Sequence, residues 1–468
     1  MSLFLVRIRN RWQEDGGYSE VLEIAIPLII STGTWSVLHF VDRMFLSWYS
    51  QETIAAAMPA GLLSFTITSV FIGTASYIGT FVAQYYGAKR YKRCGASLWQ
   101  GIYIALIGGT LQISLLPLAG PIFDFVGHET EIRQYEITYF RILCLGAVPA
   151  IVSSTISAFF SGLGQTRPVM WVNIAAMLFN ILLDWILIFG HLGFPELGIA
   201  GAGIATVCSF IFNMGIYFLW LSHPFYRIRF DTIKAWPFEK RLFTRVIRFG
   251  FPSGIQFFID MSGITFFVLL IGKLGTVSLA ATNIAFNIST LSFMPMIGTG
   301  MAISVLVGQR LGENRPEIAA RSTYSALHLA SVYISGIVLL YVLWPDLFVR
   351  AFSSQSDPLE FQPIRDTTVI LLRFVAFYSL FDAMSIIFSS ALKGAGDTRF
   401  VMFIVTLVSI FILMLPSYAL IIFFSMGTYS GWICPTTYVV TLGLVFFARF
   451  SRGKWKQMRV IEKSRGIP

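Results

Sequence analysis

Twelve long apolar stretches follow one another along the chain, and most charged residues fall in the short breaks between them. About 20 apolar residues suffice for a helix to cross the ~30 Å hydrocarbon core of a bilayer, and inside lipid only helices and closed barrels satisfy every backbone group. The stretches predict spans at 18–47, 53–86, 94–123, 133–161, 168–190, 198–221, 245–273, 277–310, 318–349, 364–392, 400–424 and 429–449. Only 12% of residues are charged and 56% are hydrophobic, whereas a soluble domain is about 25% charged. A soluble globule is excluded. The expected fold class is an all-α polytopic membrane protein with 12 transmembrane helices in two pseudo-symmetric six-helix bundles.

The longest break, 222–244, carries Arg227, Arg229, Lys234, Lys240 and Arg241 between Pro224 and the seventh span, and it divides the chain into equal halves. The expected organisation is an N-lobe at 1–221, an inter-lobe loop at 222–244, a C-lobe at 245–449 and a basic tail at 450–468. The net charge of +10 does not mark a nucleic-acid partner, because 27 of the 34 Lys and Arg residues lie on one side of the alternating spans. The positive-inside rule then places both termini, the loop and the tail in the cytoplasm, with the chain in the inner (cytoplasmic) membrane. Arg7, Arg9, Arg11, Glu14 and Asp15 precede the first span without a short apolar core and small-residue cleavage site, so no cleaved leader is expected. Four scattered cysteines, Cys94, Cys144, Cys208 and Cys434, read as reduced packing residues.

The halves repeat one another. A shift of 225 residues aligns Val21–Tyr91 with Val246–Pro316 without a gap, pairing Pro27 with Pro252, Gly73-Thr74 with Gly298-Thr299, and Gln84, Gly87 and Arg90 with Gln309, Gly312 and Arg315. A shift of 232 pairs the run Gly162 to Arg167 with Gly394 to Arg399. Both copies of each motif follow an even number of spans, so the halves share a topology and flank a central cleft, an arrangement suited to alternating access. Pro27 and Pro252 are hinge candidates at matched positions.

Of 24 Asp and Glu residues, 20 sit in loops or span ends, and Asp42, Asp184, Asp260 and Asp382 do not. A charge at the centre of a membrane helix costs roughly 2.5–3.5 kcal/mol, so each of these must face the bundle interior and bind a proton, a cation or a basic partner. Depth along the helices, at about 1.5 Å per residue, sorts them into two pairs. Asp42 and Asp184 share a layer toward the outer side. Asn180 lies one turn from Asp184, and Tyr139 and Thr206 come within reach, giving an oxygen-rich cluster able to take a proton or a cation. Asp260 and Asp382 share a second layer, with Tyr378 one turn from Asp382 and Asn283 as a further oxygen. Arg43 is expected to snorkel to the interface.

Other function classes lack their signatures. The sequence has no GxxxxGK[ST] phosphate loop, no HExxH zinc motif, no GxSxG elbow and no filter loop between spans. Catalysis is not expected, and neither is a cofactor.

Pro27 followed by Phe40-Val41-Asp42, Gly87-Ala88, Gly162 to Arg167, Gly201 to Thr206, Gln309 with Gly312, and Phe381-Asp382 leading to Gly394 to Arg399 together resemble the multidrug and toxic compound extrusion (MATE) family, in its bacterial NorM/DinF-like branch. The resemblance covers nearly the whole chain. It implies a secondary active multidrug efflux antiporter that exports cationic and amphiphilic organic compounds in exchange for H⁺ or Na⁺. The implied partners are those small molecules and the lipid bilayer, with the protein as a monomer. By position, Asp42, Tyr139, Asn180, Asp184 and Thr206 match the family's N-lobe cation site, which implies Asp42, Asn180 and Asp184 as the place for Na⁺, and Tyr378 and Asp382 match its C-lobe carboxylate region. Asp260 stands where the NorM-like branch usually has Glu, and Asn283 where Gln is frequent. A lipid-linked sugar or oligosaccharide flippase of the same superfamily is the near alternative, disfavoured by 12 spans and intramembrane acids. A membrane-embedded transferase is the alternative of another class, disfavoured by the lack of a His-centred constellation.

Overall fold

A computed structural model describes residues 11–126, 129–352 and 358–462. Arg7, Arg9 and residues 463–468 of the expected tail lie outside the described residues. Among these residues the chain forms helices and no strand. Eleven helices are long and apolar enough to cross a membrane, and a bent pair makes up to twelve. In chain order they are α1 (Tyr18–Tyr49), α2 (Gln51–Gly87), α3 (Tyr91–Asp124), α4 (Thr130–Leu145 and Ala147–Gly162, bent by 46°), α5 (Thr166–Phe189) and α6 (Gly198–Leu221). The second half contains α7 (Lys240–Gly272), α8 (Thr276–Gly312), α9 (Pro316–Leu343), α10 (Pro358–Ala395), α11 (Thr398–Phe423) and α12 (Thr428–Ser451). The ninth apolar run is longer than its helix, because Trp344 and Pro345 end α9 and a short helix, Pro345–Val349, follows.

Local chemistry sets the helix ends. Ser50, in extended backbone between α1 and α2, accepts a hydrogen bond from the Thr53 N–H at 3.1 Å, satisfying one of the amides a helix start leaves open. α5 stops at Gly190, whose φ of 71° lets its N–H reach back to the Ile186 carbonyl.

The sequence repeat is also written in the backbone. Lys89 and Asn314, mates at the 225 shift, have left-handed φ values of 57° and 60°, and Gly164 and Gly396, mates at the 232 shift, have 80° and 107°.

Two compact units result. Of the described residues, one comprises those up to Ile29, Ile259–Leu311 and those between Arg315 and Met458, and the other comprises those between Ile30 and Phe258, Gly312–Asn314 and 459–462. Their boundaries therefore run inside α1 and α7. Within the second unit the start of α7 packs on α2 so closely that a Cβ on Gly254 would lie 2.2 Å from the Val70 carbonyl oxygen, and one on Gly73 would lie 2.7 Å from Gly254 Cα. The first unit repeats the contact, with a Cβ on Gly298 of α8 falling 2.7 Å from Ile29 Cα. Small residues at such crossings let backbones approach where lipid supplies no hydrophobic drive for association.

The Ile30–Phe258 unit has a core around Phe45, Leu46, Phe123 and Phe140. The other unit packs Phe267, Tyr341, Leu371 and Trp432. There α11 widens into π-helical turns at Ser409–Met414 and Ala419–Phe423, on either side of Pro416. All four cysteines are free thiols.

Candidate functional site: two carboxylate clusters

In the Ile30–Phe258 unit, α1, α5 and α6 bring Asp42, Asn180, Asp184 and Thr206 together. Asn180 is the bridge. With its amide assigned from its neighbours, Nδ2 donates to Asp42 Oδ1 and to Asp184 Oδ2, each at 3.1 Å, while its oxygen accepts from the Thr206 backbone N–H at 3.3 Å. The Asp42 and Asp184 carboxyls also lie within hydrogen-bonding reach of each other. Asp184 and Asn180 are fully buried and Asp42 nearly so. Tyr139 of α4 is buried against Gly203 of α6 and feels the charge of both carboxylates. Thr206 enters through its backbone, because its hydroxyl donates to the Ala202 carbonyl at 3.0 Å. Arg43 is exposed, as snorkelling requires, although its charge still acts on Asp42.

The other unit holds the second cluster. Asp260 of α7 and Asp382 of α10 are near enough for their charges to interact. Tyr378, buried one turn before Asp382, lies in the field of that carboxylate. No hydrogen bond ties the Asn283 side chain to either carboxylate among the described residues; its backbone carbonyl accepts from Asn287 Nδ2 at 2.8 Å.

Several members were not singled out from sequence. Tyr438 of α12 donates its phenol to Asp260 Oδ1 at 3.0 Å. Lys393, near the end of α10, acts on Asp260 through its charge. Tyr438 carries the same signal that marked Tyr139 and Tyr378, a phenol inside an apolar span. In the first unit Asn173, two turns from Asn180, donates to Ser31 Oγ at 2.5 Å and accepts from Asn213 Nδ2 at 3.1 Å, extending the polar file along α5 and α6. Glu136, placed at a span end by sequence, is fully buried in α4.

Pro27 and Pro252 lie inside continuous helices. The unit boundaries follow them closely, after Ile29 in α1 and after Phe258 in α7. Among the described residues no group of three or more His, Cys, Asp or Glu side chains could hold a metal ion, so a bound cation would rest on two carboxylates plus amide, phenol or backbone oxygens.

Apolar spanning helices with ionisable clusters inside them are the build of a multi-pass membrane protein, and the family and relatives it matches make it a transporter rather than an enzyme. The MatE family model matches residues 27–186 and 252–426, one segment in each half of the repeat, and the chain belongs to this family. It is 26% identical over 453 residues to the probable multidrug resistance protein NorM of Thermotoga maritima, covering 95% of each chain. It is 28% identical over 436 residues to the protein of the same name from Oceanobacillus iheyensis, covering 91% of this chain and 94% of that one. The fold is similar to that of a MOP superfamily transporter from Pyrococcus furiosus, with a TM-score of 0.85 at 20% identity over 95% of this chain and 98% of that one. A structure described as an outward-facing multidrug resistance MATE family transporter gives the same TM-score, identity and coverage.

Proposed function

We propose that the protein is a secondary active antiporter that exports cationic and amphiphilic organic compounds in exchange for H⁺ or Na⁺ by alternating access. The observation that carries this reading is the buried Asp42–Asn180–Asp184 bridge. Two carboxylates in contact and away from water repel unless a proton or cation lies between them. Loading or unloading that position changes the packing of α1 against α5. The names of the NorM relatives support the substrate class.

Asn180 suits either ion: with its N–H toward the carboxylates it bridges a protonated pair, and turned over it would add its oxygen to theirs around Na⁺. In the other unit Asp260 and Asp382 supply the negative charge that attracts a cationic substrate, with Tyr438 orienting Asp260. Pro27 and Pro252 are the hinges of the cycle, which the nearness of the unit boundaries supports. One net charge moving through 100 mV supplies ~2.3 kcal/mol, enough to sustain roughly a fifty-fold gradient when one charge is exchanged for a neutral substrate. The one-sided distribution of Lys and Arg supports cytoplasmic termini, and the protein acts as a monomer in this reading.

The test is ethidium efflux from proteoliposomes driven by an imposed ΔpH or an imposed Na⁺ gradient, in wild type, Asp42→Asn and Asp382→Asn. Gradient-driven efflux lost in Asp42→Asn is the expected result. A wild type that moves no cationic dye under either gradient overturns drug antiport, and the gradient that drives efflux in wild type identifies the coupling ion.

A further inference from the structure

The segment between α6 and α7 belongs to neither carboxylate cluster, yet it is held firmly in place. Its short helix, Pro224–Arg229, is followed by a return to α6, where Thr232 Oγ1 donates to the Leu221 carbonyl at 3.1 Å. From there it runs along α3. Trp99 Nε1 donates to the Thr232 carbonyl at 2.6 Å, Gln100 Nε2 to the Pro237 carbonyl at 3.4 Å, and the Tyr103 phenol to the Trp236 carbonyl. The Phe230 carbonyl presses on Gly95, where a Cβ would meet its oxygen at 2.2 Å. Tyr103 lies about 18 Å along α3 from Tyr91, so the segment flanks the first three turns of a membrane-spanning helix.

Its outward face is both apolar and basic. Ile228 is 77% exposed, Trp236 62% and Phe238 56%. Interleaved with them are Arg227, Lys234 and Lys240, all exposed and none with an acidic partner among the described residues. The acidic Glu239 nearby is already taken by Arg93, at 2.8 and 2.9 Å. Exposed aromatic residues level with the end of a spanning helix, beside unpaired basic groups, form a surface complementary to a bilayer interface rather than to water.

We propose that this segment lies in the headgroup region of the leaflet that meets the end of α6 and binds anionic phospholipid there. Ile228, Trp236 and Phe238 enter the acyl boundary, and Arg227, Lys234 and Lys240 hold the lipid phosphates. Each basic residue at an anionic surface strengthens binding roughly fivefold, so three give strong selection for anionic over zwitterionic lipid.

The test places an environment-sensitive fluorophore on Ile228→Cys in a Cys208→Ser background of the full chain, reconstituted with brominated phosphatidylglycerol or brominated phosphatidylcholine at equal fraction. Quenching by the anionic lipid is expected to be at least about twofold stronger. The preference should vanish in the triple variant Arg227→Gln, Lys234→Gln, Lys240→Gln and persist in Arg452→Gln, Lys454→Gln, which removes exposed basic residues from the tail. Equal quenching by both lipids, or a preference that survives the triple variant, overturns the headgroup site. Absence of quenching removes the segment from the membrane and overturns the proposal outright. Loss of the preference on adding inorganic phosphate assigns the basic groups to a soluble anion and overturns it as well.

Discussion

Replacing Asp184 with Asn separates the structural cost of the carboxylate pair from its use. Asn180 Nδ2 lies 3.1 Å from an oxygen of each carboxylate, so those oxygens are no more than about 6 Å apart. Two full charges at that separation repel by about 3 kcal/mol at an effective dielectric of 20. Asn has the shape of Asp, so no cavity opens. The buried Asp184 Oδ1 has no hydrogen-bond partner to lose, and the new amide donor has the Asp42 carboxyl within reach. The variant therefore imitates the pair with its shared proton in place. It should be more stable than wild type by about 3 kcal/mol in alkaline buffer, which is several degrees in unfolding temperature. The gain should shrink as the pH is lowered and the wild-type pair takes up its own proton. Coupled transport should be lost, because no proton is left to release. Thermal unfolding followed by tryptophan fluorescence across pH, beside ethidium efflux in proteoliposomes, measures both. A variant no more stable than wild type at alkaline pH, or one that still couples efflux to ΔpH, refutes the argument.

Gly254→Val should push α7 off α2, since even a Cβ there would lie 2.2 Å from a backbone oxygen; the expected cost is about 1–3 kcal/mol, read as a fall in unfolding temperature, and a variant as stable as wild type contradicts the contact. Arg449→Gln breaks the buried pair that Arg449 Nε makes with Asp397 Oδ2 at 2.8 Å, with the two side chains 19% and 9% exposed. It should destabilise by about 3–5 kcal/mol by leaving a carboxylate without its counter-charge, measured in the same assay. The tail gives a pH test. Burial alone would raise the Glu462 carboxyl, but the Tyr85 phenol, a backbone donor and the Arg90 guanidinium outweigh it and hold it below its ordinary value of 4.5. A depressed carboxyl contributes its full stabilisation above the ordinary value and loses it as pH falls through the lower folded one. Amide exchange protection of residues 455–462 should therefore persist down to the ordinary glutamate value, disappear in more acid buffer, and be weak at every pH in Glu462→Gln.

Hydropathy was enough to read the helices, because spans of this length must bury their backbone in themselves and so announce their ends by charge and turn residues. Depth was legible too. A constant rise per residue put Asp42 level with Asp184, and Asp260 level with Asp382, before any coordinates. Rotation was not. Whether Tyr438 of α12 or Asn283 of α8 meets Asp260 depends on how each helix is turned about its axis, and spans apolar on nearly every side carry little signal for that. Nor does residue type tell which atom acts, as Thr206 shows by meeting Asn180 through its amide while its hydroxyl is spent on Ala202. The unit boundaries inside α1 and α7 were equally hidden, since a continuous apolar helix gives no sign of changing its neighbours midway.

The repeat explains why the clusters are unlike. What the 225 shift pairs is framework: glycines at helix crossings, the left-handed Lys89 and Asn314, and the two prolines. The acids are not paired. Asp42 has Phe267 as its mate, a ring in the core of the other unit, and Asp260 has Trp35. Carried on in the register of Gly164 and Gly396, Asp184 answers to Pro416 and Asn180 to Ile412. Where α5 is regular and carries the bridging amide, α11 is opened by π-helical turns on both sides of that proline. One unit thus places two carboxylates around an amide, and the other sets one of its two carboxylates, Asp260, beside an ammonium and a phenol. Duplication supplied two equivalent frames, and the charges were placed on each separately. In the antiport proposed above, those unlike charges would let one half answer to the coupling ion and the other to the substrate.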